Sequence, residues 1–428
     1  MKMNKILKIV VILGIISTLA SGLYSNGIFV NSVGTKSISM GGAFIGLADD
    51  YSAVFWNPAG LIQMEKSSLA LCVDFVRPGV TYKTSPFFSS YGLPDIDAKT
   101  KKKVYPIPFA GYFKAVSEKI VVGFALYAPT GIGAEWNGSD LTTLTFPDPT
   151  VYKWKNAIFA VTAAPVIAFK LSDVFSIGTA LNLNYGVLDG IMPMPVQGQY
   201  GQYSEKIKGV GFGATIGALL KPADFLSIGI TFRTPSKLKL SGHADMPGVE
   251  LPGFTATNKV ERELTLPMWA GIGFAVKPID NLIITADAQW NNTKKMDVIG
   301  VTYTDARWQE LFAQSMSMNL SWKNSLQWRF GLEYMLTKHF ALRAGYFIDP
   351  APGPQTRLNI LLPSPDGSWL TLGWGIKMDK FNLDIAGQYN VWGKDRDADI
   401  DAAVQGLAMP GTHGANILTL TAAFTYKF

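Results

Sequence analysis

From about residue 67 onward the chain alternates apolar and polar side chains with a period of two. Phe175, Ile177, Thr179, Leu181, Leu183 and Tyr185 interleave with Ser176, Gly178, Ala180, Asn182, Asn184 and Gly186. Leu326, Trp328, Phe330, Leu332 and Tyr334 interleave with Gln327, Arg329, Gly331 and Glu333, and Phe381, Leu383 and Ile385 with Asn382, Asp384 and Ala386. Successive strand side chains face opposite sides, so each segment reads as a strand with one greasy face. Short turns fall near 117–119, 172–173, 222–224, 278–280, 337–339 and 379–380. Long Gly/Pro-rich connections fall near 84–103, 130–150, 190–205, 242–258, 293–323, 350–367 and 394–412. Short and long connections in alternation predict an all-β fold, an antiparallel transmembrane β-barrel of about fourteen strands. The tight turns and both termini would then be periplasmic.

The two ends depart from this pattern. Lys2, Lys5 and Lys8 precede a short apolar core at 9–16 and a run of small residues. Residues 1–25 therefore read as a secretory signal peptide, cleaved after Gly22 or near Ser25. Residues 26–66 are rich in Gly, small residues and Pro, and are too few to bury a core alone. They are expected to pack as a hatch inside a barrel formed by 67–428. The last strand places Leu418, Leu420, Ala422, Phe424, Tyr426 and Phe428 on one face. A terminal Phe428 resembles the signal by which outer-membrane barrels engage their assembly machinery, and closure would remove an exposed apolar edge.

Composition agrees with a membrane barrel. Charged residues make up 16%, against about 25% in ordinary soluble domains. Aromatics reach 12% and mean hydropathy is +0.17, yet after the N-terminus no apolar run approaches the roughly 20 residues of a membrane helix. The net charge is +6. The run Lys99-Thr100-Lys101-Lys102-Lys103 reads first as a solvated loop, with lipopolysaccharide phosphates or nucleic acid as alternative partners. Cys72 stands alone, which excludes an internal disulfide, and His243, His339 and His413 lack metal-ligand spacing. No nucleophile motif accompanies them, so neither an enzyme nor a cofactor is expected.

Candidate chemistry is apolar. Met192 and Met194 lie in an apolar stretch of an expected outer loop, where methionine adapts to varied shapes. Residues 304–316 predict a short amphipathic helix with Trp308, Leu311, Phe312 and Met316 along one stripe and Thr304 or Asp305 as cap. Such a helix would wall a capture groove or pack on neighbouring loops. Arg233, Asp287, Arg329, Glu333, Arg343 and Asp384 alternate onto the inward faces, where opposite charges pair more readily than they bind ligand.

The run from Ala48-Asp49-Asp50 through Phe55-Trp56-Asn57-Pro58-Ala59-Gly60-Leu61 resembles the hatch of the FadL/TodX family, and other segments follow in order. They include Ala128-Pro129-Thr130-Gly131, Phe232-Arg233-Thr234-Pro235, Leu266-Pro267-Met268-Trp269, Leu342-Arg343-Ala344-Gly345-Tyr346 and Leu362-Pro363-Ser364-Pro365-Asp366. The resemblance implies a monomeric, hatch-plugged barrel in the bacterial outer membrane, among lipid and lipopolysaccharide. It implies passive uptake of long-chain fatty acids or monoaromatic hydrocarbons, captured by outer loops and released sideways at an inward kink of the third strand. Asn57, Pro58 and Ala59 would hold the hatch against that strand, and Phe29 would line or plug a deep pocket. The basic residues that fatty-acid members place at the deep pocket have no clear counterpart; the fifth strand offers Tyr185, Leu188 and Asp189. A general porin or a surface receptor are the other readings; nucleic acid is not an expected partner.

Overall fold

A computed structural model describes residues 32–364, 366–391 and 395–428. The signal-peptide segment and Phe29 lie outside these residues. One antiparallel sheet closes on itself. The first half comprises β1 (Ser68–Lys83), β2 (Tyr105–Ser117), β3 (Ile120–Trp136), β4 (Trp154–Lys170), β5 (Phe175–Val196) and β6 (Gln199–Ala223). β7 runs Leu226–Arg233 and continues as Ser236–Asp245; β8 runs Thr257–Leu266 and continues as Trp269–Ile279. In each, the two pieces meet neighbours in one continuous ladder, interrupted only around a proline, Pro235 or Pro267. β9 (Leu282–Asn291), β10 (Ser325–Met335), β11 (Phe340–Asp349), β12 (Gly367–Lys377), β13 (Phe381–Asn390) and β14 (Thr412–Lys427) complete the circuit. β14 pairs with β1 from Ser68↔Lys427 to Lys83↔Thr412, so fourteen strands close without a free edge.

The membrane band can be read from the outward side chains. On β5, Phe175, Ile177, Leu181, Leu183 and Tyr185 are exposed; on β6, Leu220, Ile216, Phe212 and Val210 are exposed. Phe175 pairs with Leu220 and Tyr185 with Val210, so both strands change character at the same levels. Ten steps of about 3.3 Å, at a tilt of about 40°, span roughly 25 Å along the membrane normal, the height of an outer-membrane apolar band.

The expectation of a long outer loop over 190–205 is corrected. β5 and β6 continue to a two-residue turn at Gln197-Gly198, both with positive φ (48° and 83°). Pro193 and Pro195 suggest a loop when read alone. Pairing with β4 ends at Lys155↔Ile191, so beyond it one edge of β5 is free, and a missing N–H there costs nothing. Met192 and Met194 thus sit on a strand and are buried.

Candidate functional site

Residues 32–61 are buried except for the half-buried Asp49 and Asp50. Their only regular elements are α1 (Thr35–Ser39), α2 (Ala53–Trp56) and a 3-10 turn at Pro58–Gln63. Such short pieces cannot bury themselves, and their partners are inward side chains spread around the barrel. The Thr35 hydroxyl meets that of Thr421 on β14 at 2.7 Å. The Gly41 N–H donates to Thr371 Oγ1 on β12 at 3.0 Å, and Ile45 N–H to the Asp287 carboxylate on β9 at 2.7 Å. The Ser176 hydroxyl on β5 donates to the Ala59 carbonyl at 3.1 Å.

Close approach depends on inward glycines. Cross-strand pairs Gly178–Gly217, Gly229–Gly273 and Gly331–Gly345 lie beneath this segment. A Cβ at Gly217 would fall 2.0 Å from Asn57 Oδ1, and one at Gly345 would fall 2.1 Å from the Gly41 nitrogen. Neither contact is physically tolerable, so alanine at either position would push the segment off the wall.

Asn57 is fully buried and uses both ends of its amide. Its Nδ2 donates to the carbonyls of Ile45 and Ala218, each at 3.0 Å, and its Oδ1 caps the 3-10 turn through Ala59 N–H at 3.2 Å. Pro58 occupies the first position of that turn, where its missing N–H is harmless. The Asn57-Pro58-Ala59 motif therefore rests on β5 and β6, rather than on the third strand as the resemblance implied. Asn57→Ala removes the amide bonds to both carbonyls, at about 1–3 kcal/mol for a buried group left unsatisfied. Hydrogen exchange should lose protection across residues 44–61 while the strand ladders keep theirs.

Two aromatic residues of this buried segment do meet β2 and β3. Tyr51 packs on Phe109 at 4.8 Å between ring centroids, Phe109 stacks on Tyr127 at 6.0 Å, and Phe55 meets Tyr127 and Trp269 at 5.9 Å each. Beside this cluster the wall is broken. β2 pairs with β1 as far as Val76↔Tyr105, but with β3 only from Ser117↔Ile120 to Ala110↔Leu126. β3 then shifts register against β4 between Tyr127 and Thr130, a bulge at Ala128-Pro129. Residues 105–109 and 127–133 thus border an unpaired window. Gly131 is exposed, and a Cβ built on it meets nothing within 4 Å. Above the window, the Thr100 N–H donates to the Val80 carbonyl at 3.0 Å and Lys101 N–H to the Glu135 carbonyl at 2.8 Å, which closes the wall again.

Two prolines mark this opening in the sequence, a signal that the alternation pattern alone passes over. Pro106 and Pro108 alternate along β2, so both missing N–H groups fall on one edge. Pairing with β1 is intact there, so the proline edge is the one turned toward β3.

The inward charges fall into two groups. Arg343 bridges Glu333 through Nε and Asp384 through Nη1, each at 2.6 Å, and all three are buried. Lys36 of α1 lies 3.5 Å from Glu333 and 2.7 Å from Asp49, and Lys377 lies 2.9 Å from Glu333. Arg329 donates to the Gly41 carbonyl at 3.1 Å and to Gln327 at 2.9 Å, and lies over the rings of Trp56 and Phe347. Arg233 is different. Its guanidinium lies 5.2 Å above the Phe55 ring and beside the Tyr127 hydroxyl, and among the described residues no carboxylate pairs with it.

At the end of the barrel that carries the long connections the helix spans α3 (Ala306–Met316), with Asp305 as its cap, accepting from Arg307 and Trp308 N–H groups. Trp308 and Phe312 are buried and Leu311 half-buried. Trp308 stacks on Phe254 at 5.0 Å and donates from Nε1 to the Thr255 carbonyl at 2.8 Å. Met192 and Met194 join the same apolar cluster. These residues are brought together, but as a packed cluster closed over by loops. The β11–β12 connection crosses to the far wall: Trp136 Nε1 on β3 donates to the Ile360 carbonyl and Asn156 Nδ2 on β4 to that of Leu361. Tyr185, considered a pocket residue, faces outward and is exposed, while Leu188 is buried on the inner face. Among the described residues no His/Cys/Asp/Glu group could hold a metal ion.

The model of the family described as outer membrane protein transport protein (OMPP1/FadL/TodX) matches residues 16–428. An outer-membrane protein of Neisseria meningitidis serogroup B is 22% identical over 395 residues, covering 84% of each chain. In fold the chain is similar to the crystal structure of a Pseudomonas aeruginosa FadL homologue (TM-score 0.76, 18% identity, 94% of this chain and 100% of that one). It is also similar to the Pseudomonas putida toluene transporter TodX (TM-score 0.74, 15% identity, 94% and 99%). The match along nearly the whole chain, on a closed fourteen-stranded barrel, establishes that this protein belongs to the OMPP1/FadL/TodX family of outer-membrane transporters of hydrophobic compounds.

Proposed function

We propose that the protein carries long-chain hydrophobic carboxylates passively across the outer leaflet, working as a monomer, and releases them sideways through the β2–β3 window. The observation that carries this reading is the unpaired window backed by the aromatic cluster of Tyr51, Phe55, Phe109, Tyr127 and Trp269. An apolar chain gains little from an aqueous pore; a greasy path that opens into the bilayer keeps it out of water. Residues 32–66 act as the hatch that blocks a straight aqueous path and turns the substrate toward the wall. Trp308, Leu311, Phe312, Met192 and Met194 line the outer approach once the loops part. Phe428, exposed at the end of β14, serves barrel assembly.

Arg233 favours a carboxylate. A buried guanidinium with no carboxylate beside it among the described residues is costly, and an anionic head group would complete it with charge-assisted hydrogen bonds. The aromatic cluster keeps a second reading in view, that of a monoaromatic hydrocarbon; TodX of Pseudomonas putida, similar in fold, is a toluene transporter. Uptake of labelled oleate and labelled toluene by cells lacking their own transporter separates the two. For a carboxylate, Arg233→Met should raise the half-saturation concentration for oleate about tenfold or more, the worth of a lost charged hydrogen bond. Toluene-only uptake, indifferent to Arg233, would reject the carboxylate; no gain for either compound, with the barrel folded in the membrane, would reject both.

A further inference from the structure

We propose a second binding site, on the outer wall at β6–β8, for a phosphorylated lipid of the outer leaflet. The apolar band on this wall ends at Tyr185 and Val210. Directly beyond it the outward positions become Lys208 and Lys206 on β6, and Lys239 on β7 is the cross-strand partner of Val210. These lysines stand at head-group height, just past the last apolar ring of side chains. Two neighbours are neutralised: Lys237 pairs with Glu263 and Lys259 with Glu261, each at 2.6 Å. Among the described residues, no carboxylate pairs with Lys206, Lys208 or Lys239.

The wall has a recess beside them. β9 stops at Asn291, opposite Trp269, while β8 continues outward. Above that level the free edge of β8 pairs with the short strand Thr302–Tyr303, and the Thr304 N–H donates to the Lys259 carbonyl. Between lies a cavity of about 780 Å³, lined by Lys239 and by Lys295 of the β9–β10 connection, by Leu264 and Ile299, and by Glu261 and Glu263, whose carboxylates are held by Lys259 and Lys237. Val298 lies at the cavity, 55% exposed, and a Cβ at Gly300 would meet nothing within 4 Å. Ammonium groups in excess over carboxylates, beside a recess of mixed polar and apolar lining and at the height of the lipid phosphates, match an amphiphile with anionic phosphates, whose acyl chains lie on the apolar band below. The source is the leaflet, not free phosphate, because the site opens on the lipid-facing side of the wall. It is distinct from the substrate path, which the β2–β3 window serves.

The test uses the full-length protein, purified in detergent and freed of bound lipid, titrated with diphosphoryl lipid A and followed by native mass spectrometry. A variant carrying Lys206→Gln, Lys208→Gln, Lys239→Gln and Lys295→Gln should lose affinity about tenfold or more, and the matching Lys→Arg variant should retain it. Lys101→Gln with Lys103→Gln, whose lysines are paired with Glu135, should bind as wild type. Heat-modifiable gel mobility reports whether each barrel is folded. Equal binding of dephosphorylated lipid A, competition by millimolar inorganic phosphate, or wild-type affinity in the fourfold variant would each overturn the proposal. Oleate or toluene uptake is read separately, so failure of transport and failure of this site are distinguishable.

Discussion

Gly131→Trp is expected to cut uptake of the hydrophobic substrate about tenfold or more while leaving the barrel folded. Gly131 borders the β2–β3 window, and the space beyond its Cα is empty. A large side chain is therefore tolerated there and stands on the lipid face with its partner Phe159, across the outer mouth of the opening. An added barrier of only about 1.4 kcal/mol already slows passage tenfold. The neighbouring ladder does not change, since Gly131 pairs with Phe159 on β4 and has no β2 partner to lose. Uptake of labelled oleate, with heat-modifiable gel mobility as the folding control, checks it. Wild-type uptake in the variant would mean that substrate leaves elsewhere. The same tryptophan at Gly300, an exposed glycine away from the window, is the control expected to leave uptake unchanged.

The largest effect on stability is expected from Arg343→Met. The guanidinium sits between Glu333 and Asp384 with side chains almost wholly buried, 1% exposed for Arg343 and 9% for Asp384. Removing it leaves Asp384 without its ion-pair partner and makes Glu333 depend on Lys36 and Lys377. Breaking one side of a buried ion pair costs about 3–5 kcal/mol, because an uncompensated charge stays behind. The double variant Arg343→Met with Asp384→Leu should recover part of this loss, since apolar groups of similar size need no partner there. Urea unfolding of the protein reinserted in vesicles measures both. A single variant as stable as wild type would mean that the cluster is wetter than its burial suggests.

Much of the architecture is legible because a membrane barrel writes one rule many times. The alternation in 175–185 and 326–334 names the faces correctly, since a lipid-facing position and a lumen-facing one tolerate opposite chemistries. Asp305 and the Trp308–Phe312 stripe are readable because capping and helical spacing are local. Prolines are harder. Pro193 and Pro195 look like loop residues, but whether a missing N–H matters depends on which edge of β5 has a neighbour, and that is a long-range fact. Pro106 and Pro108 carry the opposite lesson: two prolines spaced by two on a strand mark an open edge, and here they mark the window. The glycines 178, 217, 229, 273, 331 and 345 read in sequence only as small residues. Their pairing across strands, and the segment lying on them, appears only once registers are known. The crossing of Ile360 and Leu361 to Trp136 and Asn156 has no local signal at all.

Lateral release stands or falls on where the substrate leaves the barrel. A photoactivatable long-chain fatty acid, supplied to cells expressing the protein and cross-linked during uptake, reports the residues along the path. Release through the window predicts adducts on Phe109, Tyr127 and the adjoining residues 128–131, lost when unlabelled substrate competes. Adducts confined to the short turns at 224–225 and 280–281, with residues 105–109 and 127–133 unlabelled during active uptake, would contradict lateral release.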